Sequence, residues 1–326
     1  MSQNERSSGG LIGREKNLET AIRDAERNYS VGRIHDAARD FQTISIIFGG
    51  MKDYLSAAKF AAKSGDCWVK CGDPLRAAGL YESSAQYFEL LNDRENNILY
   101  YKKALVQCIL ADRMGKNVGK VALARNLRRA AVCQCKIDKN ISVSHYYSRA
   151  AELFISAAEE SVSKGLFDEG FDLYKSAAEC YFEIKEYLME ARSWIEALIC
   201  LNKVFENYFQ HCRGEEYKDV VRRELSRFNS VVGALLRDLK LVDRLEGDVL
   251  ERLMLAIIMS LNSVVSVSNE SVVVRQLLEA TMRIVKESGS KILEKIVSSF
   301  NFSSMPVKEE VSKIIEEAKH SSKSMN

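Results

Sequence analysis

An all-α fold of stacked helical hairpins is predicted by three observations. A short packing phrase recurs along the chain, helix breakers separate its copies, and only two prolines interrupt the whole sequence. In the phrase, an aromatic residue is followed three or four positions on by a small residue. A second bulky apolar residue stands seven positions on. Phe41–Phe48, Tyr81–Phe88, Tyr147–Phe154 and Tyr174–Tyr181 are its copies. A spacing of seven returns to nearly the same helix face, so both bulky residues point one way. The small residue between them lets a neighbouring helix come close. Ala37, Ala77, Val143 and Gly170 stand four places before the first ring. The phrase predicts the second helix of a helical hairpin repeat.

The elements follow in order. Residues 1–13 are polar and glycine-rich and read as a disordered tail; Gly9–Gly13 follows no strand, so it is no phosphate loop. A helix is predicted from about 14 to 29, and a second from Arg33 to the glycine stop at Gly49-Gly50. Lys52–Cys71 is the third. At Cys71-Gly72-Asp73-Pro74, glycine ends one helix, aspartate caps the next and proline fits its first turn. That helix carries Tyr81 and Phe88 and stops at Asn92-Asp93. Asn97–Met114 follows, with Tyr100, Ala104 and Cys108 on one side. Gly115–Gly119 reads as a turn before a basic helix to about Cys135. Ser142–Ser163, Phe167–Ile184 and Glu186–Phe205 complete the repeat-like part. Tyr174, Tyr181 and Tyr187 repeat the increments of Phe41, Phe48 and Tyr54.

Beyond about residue 212 alanine and tyrosine give way to Leu, Ile and Val. Helices are predicted near 215–240, 246–267, 269–288 and 289–300, as expected where the last repeat must cover its own apolar face. Val264–Ser268 alternates like a strand but has nothing to pair with. The predicted domains are a tail at 1–13, a hairpin solenoid at 14–212, a helical bundle at 213–317 and a polar tail at 318–326.

Composition narrows the function. The chain has 326 residues, 46% hydrophobic and 28% charged, with a net charge of +2. That balance provides no global field for nucleic acid or anionic lipid. The eight cysteines sit in apolar helical patterns rather than at framework spacings. With no signal-peptide pattern, they read as reduced thiols in a cytoplasmic protein. The apolar run Leu253–Leu261 is too short to span a bilayer, so contact with membranes is at most peripheral. The sequons at Asn28, Asn140, Asn269 and Asn301 then carry no sugar.

No catalytic constellation is predicted, and no cofactor or metal. His35, His145, His211 and His320 fall in no ligand spacing. Cys67, Cys71, Cys133, Cys135 and His145 could be assembled into a zinc set, but cysteines on an alanine-rich helix read as small buried residues. Two basic concentrations stand out. One comprises Lys116, Lys120, Arg125, Arg128, Arg129, Lys136 and Lys139; the other Arg222, Arg223 and Arg227. Lys116, Lys120, Arg125, Arg128, Arg129, Arg222 and Arg223 are predicted to form a face for an acidic helical partner, bound in a salt-sensitive way. Without interleaved exposed aromatics, they do not predict nucleic-acid binding.

The block Arg33–Phe88 resembles the first repeats of soluble NSF attachment proteins (SNAPs). Ala37-Ala38, Phe41, Phe48, Tyr54, Ala57-Ala58, Trp68, Ala77-Ala78, Tyr81 and Phe88 carry the resemblance. A weaker likeness continues through Tyr147–Tyr187, covering roughly residues 33–300 in all. The pattern is also similar to that of the huntingtin-associated SNAP-like protein. The resemblance implies a TPR-like α-α solenoid ending in a helical bundle. It implies an adaptor that binds the SNARE complex and recruits an AAA ATPase of the NSF type for SNARE disassembly in vesicle transport. The huntingtin-associated relative implies instead a structural subunit of a large HEAT-repeat protein. Two family features are missing: Asn28–Arg33 lacks the Phe-Phe loop between the first helices, and His320–Asn326 lacks the leucine beside an acidic end.

Overall fold

The computed structural model describes residues 18–114 and 119–211, together with isolated positions between 223 and 260. The fold class is all-α, a TPR-like array of helical hairpins. Among the described residues there is no strand. The first helix, α1, covers 18–30. It is followed by α2 (Ile34–Gly50), α3 (Tyr54–Lys70), α4 (Pro74–Leu90), α5 (Arg94–Arg113) and α6 (Lys120–Ile137). Then come α7 (Ser144–Ser163), α8 (Phe167–Ile184) and α9 (Tyr187–His211). Helical positions recur within 223–234 and 249–260.

The chain divides into two compact units, Met1–Ala150 and Ala151–Asn326. The division falls inside α7 and inside the predicted 14–212 block. Several sequence expectations lie outside the described residues: the tail at 1–13, the glycine turn at 115–118, Val264–Ser268 and the tail at 318–326. Most of the predicted bundle at 213–317 lies outside them too.

A twenty-residue period organises the first unit. Helices α2 to α5 start at Ile34, Tyr54, Pro74 and Arg94. Each junction places one residue in the left-handed region: Gly32, Lys52, Gly72 and Asn92. The next residue then opens the following helix. Asp53, Asp73 and Asp93 accept hydrogen bonds from the backbone N–H groups of Ser56, Arg76 and Asn96. Each carboxylate satisfies an N–H with no partner inside its helix. In the second unit Gly165 and Lys185 hold the same left-handed place, two residues before α8 and α9.

Two junctions depart from this chemistry. Arg33 stands where the aspartates cap and makes no side-chain cap. Lys52 stands at φ 63°, where a side chain is strained. Arg33→Asp and Lys52→Gly are each expected to stabilise the first unit by about 1 kcal/mol. A raised thermal midpoint checks this; a lowered one in both variants contradicts the repeat register.

The hairpins interlock through alanine and serine. Ala37-Ala38, Ala57-Ala58 and Ala77-Ala78, twenty apart, are fully buried. Where alanine brings two backbones close, a serine crosses the seam. Ser64 Oγ donates to the Ala38 carbonyl at 2.6 Å, and Ser84 Oγ donates to the Ala58 carbonyl at 3.0 Å. Ser45 Oγ returns the contact from α2 to the Ala57 carbonyl at 2.7 Å. A helical carbonyl has a second lone pair for such a bond, so these three buried hydroxyls are satisfied. Ser45 and Ser84 are small residues of the phrase, at places where neighbouring helices come close; Ser64 stands on α3, outside its copies.

Over forty residues the chain repeats a whole side-chain cluster. Phe60 stacks on Phe48 at 5.5 Å and on Phe41 at 6.0 Å. Tyr100 packs on Phe88 at 5.4 Å and on Tyr81 at 6.3 Å. Lys63 lies 5.4 Å from the Phe41 and Phe60 ring centres, and Lys103 lies 5.2 Å and 5.1 Å from Tyr81 and Tyr100. Glu26 pairs with Lys63, and Asp66 with Lys103 at 3.7 Å. Each of these two clusters is therefore an aromatic triad roofed by a lysine that a carboxylate steadies.

One sequence expectation is corrected. The phrase predicts second helices, and the copies on α2, α4 and α8 fit. The copy Tyr147–Phe154 lies on α7, the helix before α8, and buries both rings all the same. Ring spacing reports which face is buried, and in a stack every helix has a buried face.

Candidate interaction surfaces

The first unit has two helix layers. In one, α1, α3 and α5 lie side by side, joined by Glu26–Lys63, Tyr29–Lys70 and Asp66–Lys103. In the other lie α2, α4 and α6. There the Tyr87 hydroxyl of α4 rests on Gly49 of α2, and two ion pairs tie α4 to α6.

Those two ion pairs draw on the predicted basic face. Arg129 Nε donates to Glu82 at 2.6 Å, with both side chains largely buried. Its guanidinium lies over Gly79, where the absent side chain leaves room. One heptad on, Lys136 donates to Glu89 at 2.7 Å. That bond holds the Glu89 carboxyl below its usual value. Arg129 and Lys136 thus fasten helices. Lys120 and Arg125 are exposed on α6, and Arg128 is half-buried. Lys116 lies outside the described residues.

The second basic group behaves differently. Arg222 lies outside the described residues. Arg223 pairs with Asp168 at 3.2 Å and Glu224 at 2.7 Å. Arg227 bonds Asp168, Asp172 at 3.2 Å and the fully buried Glu224 at 3.0 Å. Three carboxylates compensate these two arginines, and the two on α8, Asp168 and Asp172, hold Arg223 and Arg227 against that helix. Sequence could not anticipate this, because Asp168 and Asp172 precede the arginines by more than fifty residues.

Among the described cysteines, Cys67, Cys108, Cys133, Cys180 and Cys200 are buried packing residues, Cys135 is half-buried and Cys71 is exposed. Burial pushes the Cys67 thiol up to about 11 and the Cys108 and Cys200 thiols up to about 12. Such thiols stay protonated, which makes them poor nucleophiles and poor metal ligands. Among the described residues, no group of three or more His, Cys, Asp or Glu is placed to hold a metal ion. His35 packs edge-on to Trp68 at 4.9 Å, and His145 is exposed against Tyr146. No helix among the described residues is long and apolar enough to cross a membrane.

Sequence reasoning misses the layer of α1, α3 and α5. It exposes Lys59, Lys63 and Asp66 on α3 and Leu99, Lys102, Val106 and Leu110 on α5. The available signal is the row Leu99, Val106, Leu110, which lies on one helix face opposite Tyr101, Ala104 and Cys108.

No protein-family model and no curated protein sequence matches the chain. Among solved structures, the TPR domain of P58(IPK) aligns at 13% identity over 89% of this chain and 71% of that one, with a TM-score of 0.28. A circular tandem repeat protein of novel repeat topology aligns at 14% identity over 99% and 95%, with a TM-score of 0.23. A monomeric IFIT1 mutant aligns at 16% over 98% and 85%, with a TM-score of 0.18. Scores this low establish no relationship, and the fold assignment stands on the chain's own helices.

Proposed function

We propose that the chain is a non-catalytic adaptor that binds the SNARE bundle and brings an AAA ATPase to it for disassembly during vesicle transport. The observation that carries this reading is the solvent face of α6. Arg125 is exposed there with Arg128 beside it, and Lys120 is exposed at the first residue of the helix, which Arg129 and Lys136 fasten to α4. A helix held rigidly presents its cations without a backbone ordering cost. A four-helix bundle with acidic flanks offers the complementary charge, and attraction of this kind is salt-sensitive. The resemblance of Arg33–Phe88 to SNAP repeats supports the choice of partner.

The test is retention of the full chain on an immobilised SNARE bundle. Lys120→Glu, Arg125→Glu and Arg128→Glu together are expected to weaken binding about tenfold or more. Arg129 is left unchanged, because reversing it would break the pair with Glu82. Unchanged binding with the helical circular dichroism intact would remove α6 as the binding face.

A further inference from the structure

We propose that the solvent face of α5 is a docking seam for one partner helix, amphipathic and flanked by acidic side chains. This surface lies in the layer of α1, α3 and α5, away from the α6 face, and the inference does not depend on the SNARE reading.

Leu99, Val106 and Leu110 are exposed on α5, and Met114 follows them as an exposed residue just beyond its end. At 100° per residue the first three fall within an arc of about 40°. The opposite side of α5 buries Tyr101, Ala104, Cys108 and Ala111. The helix is therefore apolar on two faces, where packing in the fold requires one. The repeat shows that this face need not be apolar for the layer to form: on α3 it carries charges, and Asp66 and Lys70 there reach Lys103 and Tyr29. Forty residues earlier, α3 places Lys59, Asp66 and Lys70 at the positions of Leu99, Val106 and Leu110, all three exposed. The same helix of the preceding hairpin stacks well with charged residues there.

Charge and length select the occupant. Lys102 and Arg113 border the row on one side and Lys103 on the other. The Asp66–Lys103 pair brings α3 alongside, with Lys59 and Lys63. Three carboxylates, Asp66, Glu95 and the Glu26 paired with Lys63, share this face against these five cations, and Asp66 already serves Lys103 and the Tyr81 hydroxyl. The rim is thus basic and favours an acidic partner. From Leu99 to Leu110 the row runs about 16 Å along the helix axis, the span of three turns of a partner helix. A lipid surface fits less well, because the aliphatic residues lie along the middle of a helix with α3 alongside it, not at a protruding tip.

The test uses fluorescein-labelled synthetic helices titrated with the full chain and read by anisotropy. One peptide has leucines at i, i+4, i+7 and i+11 flanked by glutamates. A second is its scramble, and a third carries lysines in place of the glutamates. The acidic amphipathic peptide is expected to bind about tenfold or more tighter than the other two, and to weaken as salt rises. Val106→Asp with Leu110→Asp is expected to abolish that preference. Ile46→Asp, at an exposed site on α2, is expected to leave it intact. Lys102→Glu, at an exposed residue, is expected to shift preference toward the lysine peptide, and it decides the matter should the double variant lose its helical signal. The α6 triple variant is expected to bind the peptide normally, which separates this seam from the SNARE face. Equal binding of the scramble overturns the proposal, as does binding that survives the Val106→Asp and Leu110→Asp changes. So do a dimer in light scattering, or binding to phosphatidylserine vesicles, that those two changes abolish: the occupant is then a second copy or a lipid surface.

Discussion

Phe41→Ala is expected to destabilise the first unit by about 3–5 kcal/mol, whereas Phe41→Tyr is expected to cost less than about 1 kcal/mol. The ring is 1% exposed and packs between Phe60 and Tyr29, with the Lys63 ammonium near its face. Truncation empties a site between two rings in a close-packed core, which closes in only in part. Tyrosine is tolerated because the following hairpin uses it at this very place. Tyr81 sits forty residues on, and its hydroxyl donates to Asp66 at 2.5 Å. Glu26 holds the corresponding position beside Phe41, paired with Lys63. Urea unfolding of both variants checks the pair. Equal damage from the two substitutions would deny that the hairpins are structural equivalents.

Arg227→Ala is expected to cost the second unit about 3 kcal/mol or more. Arg227 reaches three carboxylates and lies 5.2 Å from the centre of the Phe171 ring. Glu224, among those three, has no exposed surface. Without Arg227 its carboxylate would lean on Arg223, itself half exposed, and burial makes a poorly compensated charge expensive. Arg227→Lys is expected to recover part of the loss, since an ammonium cannot fork between carboxylates as a guanidinium does. Thermal unfolding reads both changes. A cost below about 1 kcal/mol for Arg227→Ala would mean that this cluster is surface charge.

Helix content and breaks are legible in the sequence because their causes are local. Gly72-Asp73-Pro74 announces a stop, a cap and a start within three residues, and α4 begins at Pro74 as predicted. At the next junction α5 begins at Arg94, three residues ahead of the predicted Asn97, because Asp93 caps it. The twenty-residue period is hidden by its chemistry. The left-handed residue is glycine at 32 and 72 but lysine at 52 and asparagine at 92. The second hairpin cluster uses Tyr81 and Tyr100 where the first uses Phe41 and Phe60.

The basic face is legible in composition but not in partnership. Lys120, Arg125, Arg128, Arg129 and Lys136 share one helix, as the run of cations suggests. That Arg129 and Lys136 turn toward Glu82 and Glu89 depends on α4 lying beside α6, forty-seven residues apart in sequence. The apolar row on α5 escapes a sequence reading for a related reason. Periodicity marks apolar faces without saying which one the fold covers.

Affinity purification of the tagged full chain, with and without Lys120→Glu, Arg125→Glu and Arg128→Glu, read by quantitative mass spectrometry, is the most direct test of adaptor function. SNARE proteins together with an AAA ATPase are expected with the unchanged chain and are expected to be depleted with the variant. A single giant HEAT-repeat protein, recovered equally with both, would contradict it.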